Sequence, residues 1–219
     1  DPRKYPDGLG PLINHVRGVV KGIGERLPGS SSECFARHAR EHMPEKLEDS
    51  LAGLVEAIEQ INEKIAQQDR LIERACTEKY PETKWLRQVP GVGPITALAY
   101  VLTLEEPGRF EKSRSAGAFL GLTPRRDQSG ETDKQLRITK AGNKYLRQLL
   151  ISCAHYIMGP FGQDSDLRRY GERIAARGGK NAKKRAVVAV ARKLSVMLHR
   201  LWSDQAEYVP LYRSTRKAA

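Results

Sequence analysis

Very little in this chain suits a membrane or an oxidising compartment. Its longest apolar run, Ile95–Leu104, is about half of the roughly 20 residues that a helix needs to cross a bilayer. Only three of 219 residues are cysteine (Cys34, Cys76 and Cys153), an odd number without a Cys-x-x-Cys pair. That argues against a disulfide framework and for a reducing compartment. No secretory leader pattern is present. No initiator Met is present either: the chain opens Asp1-Pro-Arg-Lys-Tyr-Pro6 and reads as a segment of something longer. Carboxylates are missing where a metal-dependent nuclease would gather them. Asp164, Asp166 and Glu172 read as solvated charges near a helix start. Cys34, His38 and His42 are spaced to share a helix face, but no fourth ligand is spaced to complete a zinc site.

What the chain does have is positive charge, unevenly spread. The formal net charge is +12. Residues 43–79 carry nine acids and five bases, a net of −4, whereas residues 109–219 carry 24 Lys/Arg against nine Asp/Glu, a net of +15. Such asymmetry points to a polyanionic partner, most simply nucleic acid.

The periodicity predicts a mainly α protein. Leu9, Leu12, Ile13, Val16, Val19, Val20, Ile23 and Leu27 recur at helical spacing over 9–27, weakened by Gly18, Gly22 and Gly24. Pro28-Gly-Ser-Ser-Ser32 breaks the pattern. A longer helix follows, with an apolar seam at Leu47, Leu51, Leu54, Ile58, Ile61, Ile65, Ile72 and Ala75, interrupted by Gln68. Steps alternating between four and three residues make this a coiled-coil arm. Its partner is either the helix at 9–27 folded back, or the same helix of a second subunit. Further helices are expected at 84–89, 94–104, 165–177 and 182–202, the last with Val187, Val190, Ala191, Leu194, Leu198 and Leu201 inward. Another is expected from Thr139, taken as its N-cap, burying Leu146, Leu149, Leu150, Cys153 and Ile157. Between them, Gln128–Lys134 reads as a loop tip or short β-hairpin. The expected division is an arm over 1–80, a compact helical domain over 81–203 and an irregular tail over 204–219.

Three features could carry chemistry. Pro90-Gly-Val-Gly-Pro94 followed by Ala97 fits a helix-hairpin-helix, in which Gly91, Val92 and Gly93 turn backbone N–H groups and a helix N-terminus toward a phosphate. The same residues also make a plain tight turn. Arg125, Arg126, Arg137, Lys140, Lys144 and Arg147 bracket Ser129. With a helix starting at Thr139, Lys140, Lys144 and Arg147 would share a face. A hydroxyl among fixed cations suits attack on a phosphodiester, because the cations offset charge on the phosphorane oxygens. A Ser-Gly is equally an ordinary turn, and composition alone does not promote Ser129 to a nucleophile. Finally Lys180, Lys183, Lys184 and Arg185 sit at the start of the last helix, against its dipole, an arrangement easier to understand if an anion docks there.

The order of these pieces says more than any one of them. Val89-Pro-Gly-Val-Gly93, Arg109-Phe110, Gly121-Leu-Thr-Pro124, Gln128-Ser-Gly130, Ile138-Thr-Lys-Ala-Gly-Asn143 and Leu146-Arg-x-x-Leu150 together resemble the C-terminal transposase domain of the IS-one-ten family, recombinases guided by a bridge RNA. The resemblance covers about 85–202, and the preceding arm looks like the family's coiled coil. It implies that Ser129 is a nucleophile forming a phosphoserine link to DNA. It implies double-stranded DNA and a bridge RNA as partners, and a dimer through residues 45–79, or a tetramer. It also implies a bacterial, cytoplasmic, nucleoid-associated setting without membrane attachment. The family's N-terminal Ruv-C-like domain, whose carboxylates bind Mg²⁺, is not in this sequence. The chain alone is therefore expected to bind no metal and to be inactive or nearly so. Arg125, Arg126, Arg137 and Lys140 are the cations expected to assist Ser129. The competing reading is a non-catalytic helix-hairpin-helix module that binds nucleic acid; a further one is a fragment whose main property is assembly through the arm.

Overall fold

Four apolar residues at spacings of four, three and four (Leu9, Ile13, Val16 and Val20) bury one stripe of the first helix, α1 (Leu9–Gly22). Gly24, at φ +86°, closes it: the Gly24 N–H donates to Lys21 O and the Glu25 N–H to Val20 O, satisfying carbonyls that the helix end would orphan. The helix therefore stops five residues short of the expected Leu27. The computed structural model describes residues 9–129 and 132–212, with residues 126–129 and 132–136 described by backbone alone.

The described chain divides into two compact units, residues 1–71 and 72–219, with the division falling inside the long helix α3 (Glu45–Glu78). In the first unit, α1 meets α3 and a short helix that the periodicity missed, α2 (Phe35–His42). Their shared core holds Phe35, Ala36 and Ala39 from α2 and Leu51, Val55 and Ile58 from α3. Two helices cover this end of α3. The buried stripe is accordingly broader than a two-position seam, and Val55 lies deeper than Leu54. Beyond Ile58 the cover thins: Ile61 and Ile65 are half-buried, Gln68 is exposed, and Leu71 is 53% exposed.

The second unit is built around α9 (Ala182–Asp204), which buries Ala186, Val190, Ala191, Leu194 and Leu198 completely. Around it pack α4 (Thr83–Arg87), α6 (Arg114–Phe119), α7 (Lys144–Met158) and α8 (Asp166–Ala175). Helix α5 (Pro94–Leu104) lies against α4 and α7. Gly171 of α8 lets that helix approach closely, since a Cβ there would stand 2.7 Å from Val190 Cγ2. Across the core, Tyr100 of α5 donates its hydroxyl to Ser195 O at 2.6 Å. Strands β1 (Pro124–Ser129) and β2 (Thr132–Ile138) form an antiparallel hairpin whose register shifts between Pro124 and Arg126.

The mainly α expectation holds, and of the expected hairpin Gln128, Ser129 and Thr132–Lys134 lie on paired strands, while Gly130 and Glu131 lie outside the described residues. One element is displaced. Helix α7 starts at Lys144, not near Thr139, because Lys140 (φ +59°) and Gly142 (φ +72°) lie outside helical space. Asn143 is the cap, its Oδ1 accepting from the Leu146 N–H at 3.0 Å. The expected tail also begins with order. Tyr208 N–H donates to Gln88 Oε1, and Asp166 N–H donates to Pro210 O. Residues 213–219 of the tail and 1–8 of the arm lie outside the described residues.

Candidate nucleic-acid interface

Two chain segments cross at the root of the β1–β2 hairpin, and glycine makes the crossing possible. The turn after α6, Phe119–Thr123, runs against the loop Thr139–Asn143. Thr139 N–H donates to Thr123 O at 2.9 Å and Lys140 N–H to Gly121 O at 3.1 Å. Gly121 and Gly142 both have positive φ (+66° and +72°). A Cβ at Gly121 would collide with the backbone of Ala141, and one at Gly142 with Phe119 O. The glycines of Gly121-Leu-Thr-Pro124 and Ala141-Gly-Asn143 are thus needed by each other. The sequence carried this signal in its paired glycines, but nothing along the chain says that they meet.

Arg147 closes the same crossing from beneath. It is 8% exposed, and its Nη1 donates to Leu120 O (3.1 Å) and Ala141 O (2.8 Å), one carbonyl from each segment. It does not share a helical face with Lys140, because Lys140 precedes the helix. Expected as a phosphate ligand, it instead holds the two segments together. The exposed cations around the crossing are Arg125, Arg137, Lys140 and Lys144. Ser129 ends β1 with its backbone paired to Thr132. The side chains of Ser129 and Arg126 lie outside the described ones, as do residues Gly130 and Glu131.

A second element is the helical hairpin of α4 and α5. Val92 N–H donates to Val89 O, and Gly91 at φ +92° turns the chain. A Cβ on Gly91 would stand 2.6 Å from Tyr156 Cδ1, so the turn rests against that ring. Gly91 and Gly93 are exposed while the Val92 side chain is buried. The first intrahelical bond of α5 runs from Ala97 N–H to Gly93 O at 3.0 Å, leaving the Ile95 and Thr96 amides ahead of it at the positive helix end. Thr96 Oγ1 lies 3.7 Å from Cys153 Sγ, and burial pushes the Cys153 thiol up from its ordinary value.

A third basic group occupies the start of α9. Lys180, Lys183, Lys184 and Arg185 are all exposed. Arg185 Nη2 also donates to Gly178 O at 2.7 Å, tying down the preceding glycine turn. Among the described residues no group of three or more His, Cys, Asp or Glu is placed to hold a metal ion, and none of the described helices is long and apolar enough to cross a membrane.

Comparison with known proteins places the chain among relatives of DNA transposases. Residues 83–172 match the family described as Transposase IS116/IS110/IS902 family, and the chain is related to the transposases of that group. It is 27% identical over 209 residues to the transposase for insertion sequence element IS1111A of Coxiella burnetii, covering 90% of this chain and 55% of that protein. It is 29% identical over 207 residues to a probable family 20 transposase of Pseudomonas aeruginosa, covering 91% of this chain and 60% of that protein. A pilin gene-inverting protein of Moraxella lacunata is 29% identical over 110 residues, half of this chain. The chain thus spans a little over half the length of the first two relatives. The matched segment runs from α4 to α8 and contains the helical hairpin and the whole glycine crossing.

Proposed function

We propose that this chain is the strand-exchanging part of an insertion-sequence transposase, with Ser129 as its nucleophile and DNA as its substrate. The observation that carries the reading is the crossing at Gly121 and Gly142. Gly121 and Gly142 stand 21 positions apart in the chain, yet their segments meet there, at the root of the hairpin that bears Ser129. Nothing in a plain turn requires that bracing.

In this reading Ser129 Oγ loses its proton and forms an ester bond to a DNA phosphorus. One P–O bond of the backbone breaks, and the released oxygen leaves as a hydroxyl. The phosphoserine ester conserves the bond energy, so attack by a second strand's hydroxyl restores the backbone and frees the serine. Arg125, Arg126, Arg137 and Lys140 offset the charge that builds on the phosphorane. Lys144 at the start of α7, the Gly91–Gly93 turn, and Lys183, Lys184 and Arg185 hold backbone phosphates away from the reaction. Target choice falls to a bridge RNA, and the arm brings subunits together as a dimer. A Mg²⁺ ion belongs to this proposal only through the complete protein. The described residues offer it no ligand set, and no step here runs through it.

The test is covalent trapping. The complete transposase is mixed with bridge RNA, Mg²⁺ and end-labelled donor and target DNA, then run on a denaturing gel beside Ser129→Ala. A protein–DNA adduct in the wild type alone is the expected result. Cleavage without an adduct, unchanged in the variant, would overturn the serine mechanism and leave the chain as a nucleic-acid-binding module.

A further inference from the structure

Among the ordered motifs, Arg109-Phe110 has no task in the proposed reaction, yet its contacts lead to the crossing. Phe110 is half-buried and packs T-shaped against two other rings, Phe119 (centroids 5.4 Å apart) and His199 (5.6 Å). The Arg109 guanidinium lies over the Phe119 ring at 5.0 Å and over Phe110 at 5.9 Å, and it is paired with Glu105 at 3.0 Å. Phe119 is also the residue whose carbonyl stands where a Cβ on Gly142 would have to go. A row of three rings therefore connects α9, which carries His199, to the crossing.

His199 anchors this row. It is 2% exposed, and both of its ring nitrogens are engaged by a segment 86 to 92 positions earlier in the chain. A carbonyl can only accept, so Nε2–H donates to Pro107 O at 2.9 Å, and in the neutral ring Nδ1 accepts from the Ser113 hydroxyl at 3.1 Å. Pro107 opens the 3-10 turn Pro107–Arg109, and its carbonyl also accepts the Phe110 N–H. Ser113 stands at the cap position of α6, but its side chain caps no helix amide. That hydroxyl goes to His199 instead. Both flanks of Arg109-Phe110 are thus pinned to α9 through one imidazole. An apolar side chain would fill the same space without the cost of burying polar atoms. What the imidazole adds is direction, because two hydrogen bonds fix where the segment sits along α9. His199 lies beyond the matched residues 83–172 and belongs to none of the motifs.

We propose that His199 is a positioning residue for strand exchange: through Phe110 and Phe119 it seats the crossing at Gly121 and Gly142, and with it the root of the Ser129 hairpin. The proposal rests on the reading of Ser129 as the nucleophile, and one arm of its test does not. In the 219-residue chain, amide hydrogen exchange is followed by NMR at Thr139 and Lys140, whose N–H groups close the crossing, and at Ala97, whose N–H makes the first bond of α5. His199→Phe keeps an aromatic ring but neither hydrogen bond. Phe110→Leu keeps the hydrogen bonds but removes the linking ring. Each is expected to speed exchange at Thr139 and Lys140 by about tenfold or more and to leave Ala97 within about twofold. His199→Gln, whose amide still has a donor for Pro107 O, is expected to exchange within about threefold of wild type. In the complete transposase, His199→Phe is expected to form the DNA adduct at least about tenfold more slowly while DNA affinity stays within about twofold, since misplaced reacting groups lose rate before binding. An equal rise at all three amides would make His199 an ordinary core residue and overturn the proposal. Unchanged exchange at Thr139 and Lys140 would overturn it too, as would faster exchange there with an undiminished adduct rate. A wild type that forms no adduct would overturn the serine reading, and the exchange arm alone would then decide whether His199 seats the crossing.

Discussion

Gly142 and Arg147 hold one crossing from two sides, and they make different demands on their replacements. At Gly142 a side chain meets both a positive φ and the Phe119 carbonyl. Gly142→Ala is expected to cost about 2–4 kcal/mol in urea denaturation, combining left-handed strain with overpacking. Gly178, at φ +74° with no atom near its would-be Cβ, supplies the control. Gly178→Ala is expected to cost only about 1 kcal/mol. Equal losses at the two positions would mean that the crossing tolerates a Cβ. Removing Arg147 strands two carbonyls in a buried place, so Arg147→Ala is expected to cost about 1–3 kcal/mol. Because its guanidinium points into the crossing, the salt slope of nucleic-acid binding is expected to stay where it is. A slope lower by about 0.9 would instead return Arg147 to the phosphate ligands.

Along α3 the cover changes from complete to sparse, which makes the arm the element with most to gain from a second copy. Leu51, Val55 and Ile58 are satisfied by α1 and α2, whereas Ile61, Ile65 and Leu71 retain exposed apolar area. If the arm dimerises as proposed, Ile65→Glu with Leu71→Glu is expected to convert the sedimenting species from dimer to monomer and to leave the helical circular dichroism nearly unchanged. A dimer that survives both charges would place the contact elsewhere. The seam was legible in the sequence because Ile and Leu recur along it with so few exceptions. Helix α2 was not, since eight residues give only two turns of pattern and its Phe35, Ala36 and Ala39 cluster at one end of a polar string. The start of α7 was misread for a different reason. Thr139 and Asn143 are both good caps, and only the left-handed Lys140 and Gly142 between them decide for Asn143. The candidate site divides the same way. Its motif order could be read along the chain, but the meeting of the Gly121 and Gly142 segments, and the turning inward of Arg147 while Lys144, Tyr145 and Gln148 stay exposed, depend on tertiary packing.

Taken as a whole molecule, the chain keeps its charges apart: the residues of the arm are net acidic and those from Arg109 onward carry +15. Like charges held on one surface repel, and Lys183 and Lys184 add to that by standing in the first turn of α9, where the helix dipole is positive. Each is expected to destabilise the free protein by a few tenths of a kcal/mol, so Lys183→Ala with Lys184→Ala should melt slightly above wild type. If a polyanion compensates them, the same double substitution weakens binding and lowers the slope of log K against log salt by about 1.8, the share of two phosphate contacts on duplex DNA. Ser129→Ala, measured beside it, is expected to leave both the melting temperature and the slope alone, since a nucleophile adds no counterion release. Opposite movements of stability and affinity would mark the start of α9 as a binding surface. A variant that melts higher and binds as before would make it an ordinary solvated helix end, and would leave the Gly91 turn and the hairpin root to hold the backbone.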